Sequence, residues 1–253
     1  MNTIMKIKRG LILLFLLMTV CSLYNTTNAQ TYSLQSLEGA KVRVNLLYKP
    51  SLGTLAISYL KDTLLLVDYM DINNVKVLNN RFLQITYAKR AGSNEDLENM
   101  LLLCVDNKKL CQAMHIRSGS TYDMRNIQHI KGNLSEYQLF KVKVRLFGNG
   151  KNNYKLNLSI HDESTSERTP KTNHNYNKQV ILSFDPNQDI FYSTRQSISK
   201  TFTVYDPKIQ QTIKQDVNGV VPVITLDKSN YYYVKGEWYE QGIKDYLLKY
   251  AYK

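Results

Sequence analysis

Few residues with reactive or structure-stapling chemistry occur in this chain. Of 253 residues only three are cysteine, four histidine, five proline and one tryptophan. Three cysteines cannot build the disulfide framework of a small secreted scaffold. The histidines, His115, His129, His161 and His174, show no metal-ligand spacing such as His-Glu-x-x-His, so no metal site is expected. No Gly-x-Ser-x-Gly elbow is present, which removes the commonest serine-hydrolase signature. Long helical periodicity is missing, and no cofactor-binding fingerprint appears, so no cofactor is expected. Apolar runs long enough to cross a bilayer, roughly 20 residues, are also missing.

The amino terminus has the three parts of a secretory signal in order. Lys6, Lys8 and Arg9 precede the uncharged apolar run Leu11 to Cys21, and Thr27-Asn28-Ala29 forms a small-x-Ala site before Gln30. Cleavage after Ala29 is expected, which places the mature chain in the periplasm or outside the cell with no transmembrane span. A lipidated Cys21 is the weaker alternative, because Val20 before it is bulkier than the small residue such sites carry. Loss of 29 of the 253 residues leaves 224, and loss of three cations takes the net charge from +12 to +9. A basic surface attracts acidic glycans, anionic lipid headgroups or nucleic acid, and export makes nucleic acid an unexpected partner.

Strand patterns fill the remainder. Val42 to Leu46 alternates, and paired runs meet at Lys61-Asp62, Asn79-Asn80, Asp106 to Lys109 and Gly148-Asn149-Gly150. Further strands are expected at Val180 to Phe184, Ile190 to Ser193, Thr201 to Tyr205, Val220 to Leu226 and Tyr231 to Val234. The segment after Glu237 fits either a strand or a short terminal helix. Successive hairpins give an all-β fold, an antiparallel meander or sandwich, with little helix. Leu64-Leu65-Leu66-Val67 and Leu101 to Val105 are apolar at every position, so both are expected to be covered on both faces. That pattern also argues against an outer-membrane barrel, whose strands alternate. Residues 162–178 hold almost no aliphatic side chain and read as a mobile loop or linker between β regions 30–161 and 179–253. Those regions are either two subdomains or, the preferred reading, one assembly with a long excursion. Ala88 to Asn99 reads as a second polar loop, and Arg117-Ser118-Gly119-Ser120 as a Gly/Ser turn.

Four constellations are candidates for function. In Phe140 to Leu146, apolar residues alternate with Lys141, Lys143 and Arg145, which makes a cationic stripe on one strand face. If Leu146 pairs with Tyr154, Lys155 joins that polyanion-binding stripe beside Arg145. Nineteen tyrosines are many for one chain, and Trp238 and Tyr239 beside Tyr231 to Tyr233 are candidate aromatic contacts for sugars or proteins. Cys104 and Cys111 flank a polar turn and fall opposite one another if Val105 pairs with Leu110, a candidate cross-strand disulfide. His161, Asp162 and Glu163 end a strand and could offer three metal ligands but read as a solvated strand end. Asp162 and His161 are the first acid–base suspects, and Asp185 to Asp189 reads as a type I turn rather than a calcium loop. Asn133 and Asn157 match the N-glycosylation pattern, the second inside an expected strand.

The expected function is therefore that of an exported, non-enzymatic binding or structural protein of the cell envelope, contacting an acidic glycan or another envelope protein. The competing expectation is a carbohydrate-active hydrolase or lyase, which would need two carboxyl groups facing one another across a cleft.

Overall fold

The computed structural model describes residues 28–49, 53–66, 69–89, 95–124, 135–148, 153–206, 211–226, 229–241, 246–247 and 250–252. Most of the expected leader, His129, Asn133 and the centres of several loops lie outside that set. The chain is all-β; among the described residues the pairing is antiparallel and Pro170–Thr172 forms a three-residue 3-10 turn. Among the described residues no helix is long and apolar enough to cross a membrane.

Three sheets are present. The first holds β1 (Asn28–Gln35), β2 (Lys41–Lys49), β3 (Thr54–Tyr59) and β4 (Asp62–Leu66) in sequence order. The second, eight-stranded, also runs in sequence order: β5 (Tyr69–Leu78), β6 (Phe82–Lys89), β7 (Glu95–Asp106), β8 (Lys109–Asp123), β9 (Glu136–Phe147), β10 (Lys155–Ser166), β11 (His174–Asp185) and β12 (Ile190–Tyr192). The third contains β13 (Thr194–Asp206), β14 (Gln211–Leu226), β15 (Ser229–Val234), β16 (Glu237–Gln241) and β17 (Tyr246–Leu247). The final strand, β18 (Tyr250–Tyr252), returns to pair with β4, so the described residues of the last segment are strand.

Local chemistry explains the turns. Asn79 and Asn80 have φ of 46° and 56°, and Asn107 and Lys108 have φ of 45° and 61°. Two successive positive φ values make the type I′ turn that matches strand twist, and Asn tolerates that region well. At Gly148, φ is 94° and an added Cβ would lie 1.9 Å from the Asn153 carbonyl oxygen. Only glycine fits there.

Alternation then builds the core. On β2, Val42, Val44 and Leu46 are buried while Lys41, Arg43 and Asn45 are exposed. Those buried residues pack with Leu55, Ile57, Leu64 and Leu66 against Leu83, Ile85, Tyr87, Leu101, Leu103 and Val105. The opposite face of β7, Met100, Leu102 and Cys104, belongs to a second cluster with Met114, Leu156, Leu158, Phe184, Phe191 and Trp238. Leu101 to Val105 is thus covered on both faces. Leu64 to Val67 departs from that expectation: Leu64 and Leu66 are buried, Leu65 is only half-buried, and Val67 lies outside the described residues. A third cluster lies within the last sheet, where Phe202 packs on Tyr232 and Tyr239 with ring centroids 5.8 and 4.9 Å apart.

Three segments read as loops or turns contribute paired strand. Residues 162–178 are the closed end of the β10–β11 hairpin, with Asp162 opposite Tyr176 and Ser164 opposite His174. Polar side chains sustain that pairing through their own bonds, such as Ser166 N–H to Asn173 Oδ1 at 2.7 Å. The second core cluster draws residues from both 30–161 and 179–253. Much of Ala88 to Asn99 is paired strand, with Lys89 opposite Leu97. Arg117 to Ser120 lies inside β8, where the register slips between Glu98 and Asn99 and leaves Ser118 as the extra residue of a bulge.

Candidate functional site

Strands β9, β10 and β11 form an exposed face of polar and basic side chains. Lys141, Lys143 and Arg145 are exposed, and the intervening Val142 is buried in the core. The register places Lys141 opposite His161, Lys143 opposite Ser159, Arg145 opposite Asn157 and Phe147 opposite Lys155. Continuing onto β11, Lys155 faces Ser183, Asn157 faces Ile181, Ser159 faces Gln179 and His161 faces Asn177. No acid lies directly across from any of the four cations.

Lys155 reaches this face by a register different from the expected one. Leu146 pairs with Leu156 instead of Tyr154, a slip of two residues. A slip of two preserves the side-chain face, so Lys155 stays with the stripe, diagonal to Arg145 rather than beside it. The remaining positions carry serines, amides, His161, the acid Glu163 and a few apolar groups. Asn157 Nδ2 donates to Gln179 Oε1 at 3.2 Å, His161 Nδ1 meets Asn177 Oδ1 at 3.1 Å, and Arg145 stacks 4.8 Å above the Phe147 ring. Ile181 is 62% exposed, and no core residue covers it.

At its Lys141 end this face opens into a groove of about 510 Å³. Glu95, Asp96 and Glu98 of β7 line it, with Lys89, Lys141 and Asn73 around them. Asn73 Nδ2 at 2.7 Å and the buried Ser118 hydroxyl at 2.9 Å hold the Glu98 carboxylate. A smaller depression of about 410 Å³, lined by Tyr32 and Tyr48 among others, shares Asn73 with it. Sequence reading missed this groove because Glu95 to Glu98 look like a solvated loop. The bulge at Ser118 that aims one hydroxyl at Glu98 has no local signature.

Trp238 and Tyr239, the candidate aromatic contacts, are buried rather than exposed. Trp238 is fully buried, its indole N–H donates to the Gln112 carbonyl at 3.1 Å, and Tyr239 lies in the core of the third sheet. Alternation along β16 turns each ring into a different cluster, and both clusters are covered.

The acid–base suspects separate as well. Asp162 is buried and accepts from His174 Nε2 at 3.0 Å and the Tyr176 hydroxyl at 3.1 Å, while His161 sits on the exposed face with Glu163 3.6 Å away. The other ring nitrogen of His174 meets the Thr172 carbonyl at 2.9 Å. Bracketed by two acceptors, this ring acts as a structural tie across the hairpin end. His115 is a core residue bonded to the Tyr87 hydroxyl at 2.7 Å. Among the described residues no group of three potential ligands is placed to hold a metal ion. Asp185 forms the expected turn, accepting from Asn187 N–H at 2.9 Å, and pairs with Arg195 at 2.6 Å.

Cys104 and Cys111 are register partners, as expected from the hairpin, and both are free thiols. Asp189 stands over them, a residue that sequence reading assigned only to a turn. Burial first, then the negative charges of Asp106 and Glu38, push its carboxyl up to about 6. A carboxyl raised in the folded state adds stability below its unfolded value near 4, and that contribution is lost as pH rises through about 6. Asp189→Asn is therefore expected to match the wild type near pH 4. At pH 7 it should exceed it by on the order of 1 kcal/mol, after discounting for solvent screening. Urea unfolding at the two pH values checks this. Asn also suits the φ of 58° at that position.

Comparison of the chain with known proteins finds no matching family model, no matching curated protein and no matching solved structure.

Proposed function

We propose that this protein is exported and acts outside the cytosol as a non-enzymatic binding protein, its β9–β11 face holding an acidic glycan. One observation carries the reading: four cations share an exposed sheet face whose cross-strand neighbours are serine, amide, histidine or apolar residues. No acid lies directly across from any of the four, although Glu163 stands diagonal to Lys141 and Glu95, Asp96 and Glu98 line the groove at that end. Neighbouring cations on one strand stand roughly 6.6 Å apart, which suits a chain of repeating carboxylate or sulfate groups. Planar amides between them offer donors and acceptors for hydroxyls.

The groove supports binding over hydrolysis. Its three carboxylates all come from β7, and among the described lining residues the facing segments of β8 and β9 supply Lys141 but no carboxyl group. A glycosidase needs an acid on each side of the bond it breaks.

Reversing two charges, Lys143→Glu with Arg145→Glu, should weaken retention on a heparin column about tenfold, or about 1.4 kcal/mol. The loss should shrink as salt rises. Circular dichroism should not change, because both side chains are exposed. The matched control reverses Lys41 and Lys76, exposed residues on β2 and β5. Equal loss in the control, or unchanged elution of the first variant at low salt, would remove this face from consideration.

A further inference from the structure

The cysteine hairpin has chemistry that the glycan-binding reading leaves unused. The two-residue turn at Asn107-Lys108 closes on the pair Asp106 and Lys109, so Cys104 and Cys111 form the next hydrogen-bonded pair along the ladder. Such pairs have Cα atoms about 5.5 Å apart, inside the ~4.4–6.8 Å span of disulfides. The register slip between Leu102 and Leu103 adds local twist beside them.

Both thiols also report to one residue. Cys104 Sγ lies 3.8 Å from the Asp189 carbonyl oxygen, and Cys111 Sγ lies 3.6 Å from the Asp189 carboxylate. Asp189 on the turn after β11 and Asp106 on the hairpin itself act on the pair, and Glu38 from the β1–β2 turn, which accepts from the Asn107 backbone N–H, adds its charge beside Asp106 and Asp189. Tyr233 of β15 also faces the cluster. A thiol is reactive as its thiolate, and negative surroundings oppose the thiolate. The hydrogen bond between the two thiols, then burial, then the charges of Cys111, Asp189 and Asp106 push Cys104 well above its ordinary range.

We propose that Cys104 and Cys111 are a latent cross-strand disulfide whose reduced form is guarded by the Asp189 carboxylate. The half-buried Cys111 is the entry point. As its thiolate it attacks a disulfide oxidant such as oxidised glutathione, giving a mixed disulfide and releasing one glutathione thiol. The Cys104 thiolate then attacks Cys111 Sγ and expels the second. Two protein thiols thereby lose two protons and two electrons, and the oxidant's disulfide is reduced to two thiols. Closure removes both S–H donors from Asp189.

The test uses the full chain incubated with oxidised glutathione at pH 7, quenched with acid, alkylated and digested with trypsin. Cleavage after Arg90, Lys108, Lys109 and Arg117 separates the two cysteines, so closure appears as peptide 91–108 joined to peptide 110–117. The Cys21 peptide is distinct. The joined pair should form in the wild type and form roughly three- to tenfold faster in Asp189→Asn, with Asp106→Asn moving the rate the same way. In Cys111→Ser, Cys104 should stay unmodified. Recovery of only singly modified peptides from the native wild type would overturn the disulfide. Rates in both Asn variants equal to or below the wild type would overturn the guard.

Discussion

Replacing Trp238 with alanine is expected to cost about 3–5 kcal/mol, a large part of the stability of an ordinary domain. Trp238 has no exposed surface, stands 5.1 Å from the Tyr233 ring and donates to the Gln112 carbonyl of β8. Removing it leaves a cavity in the cluster that joins the third sheet to the central one and strands a buried carbonyl. Urea unfolding monitored by circular dichroism measures the loss. Trp238→Phe keeps most of the volume and should retain heparin binding with a smaller stability loss. A Trp238→Ala chain as stable as the wild type would contradict that burial.

The second large effect belongs to Arg117. Its guanidinium lies 3.2 Å from Glu240 Oε2, its backbone N–H donates to the Tyr231 hydroxyl at 3.2 Å, and that hydroxyl donates to Glu240 Oε1 at 3.2 Å. The three residues tie β8 to β15 and β16. The Glu240 side chain is 5% exposed and the Arg117 side chain 28%. Arg117→Ala should therefore cost about 3 kcal/mol, because it leaves a buried carboxylate without its cation. Adding Glu240→Gln should recover part of the loss, since a neutral amide is cheaper to bury. A double-mutant cycle gives the coupling. Additive losses would show that the two side chains do not act as a pair.

Both effects concern the same seam. Trp238 and the Arg117–Glu240 pair hold the last sheet against β8, while the basic face of β9–β11 lies elsewhere on the central sheet. Binding and stability variants should accordingly separate. Charge reversals on the face leave unfolding unchanged, and seam variants alter unfolding first.

Patterns that repeat over a few residues were legible in the chain itself. The period-two alternation of Val42 to Leu46 and of Phe140 to Leu146, and the Asn79-Asn80 and Asn107-Lys108 turns, follow from pleat geometry and backbone sterics, which are local. Alternation also carried Lys141, Lys143, Arg145 and Lys155 to one face despite a register two residues off, because parity survives such a slip. Cys104 and Cys111 met for the same reason. Tertiary packing decided the rest. Burial of Trp238 and Tyr239 depends on clusters assembled from distant strands, and an aromatic pair looks the same in sequence whether covered or bare. Residues 162–178 form a hairpin end because Asp162, His174 and Tyr176 satisfy one another, which no hydrophobic pattern announces. Asp189 reached the thiols, and Ser118 reached Glu98, across separations that only the folded backbone closes.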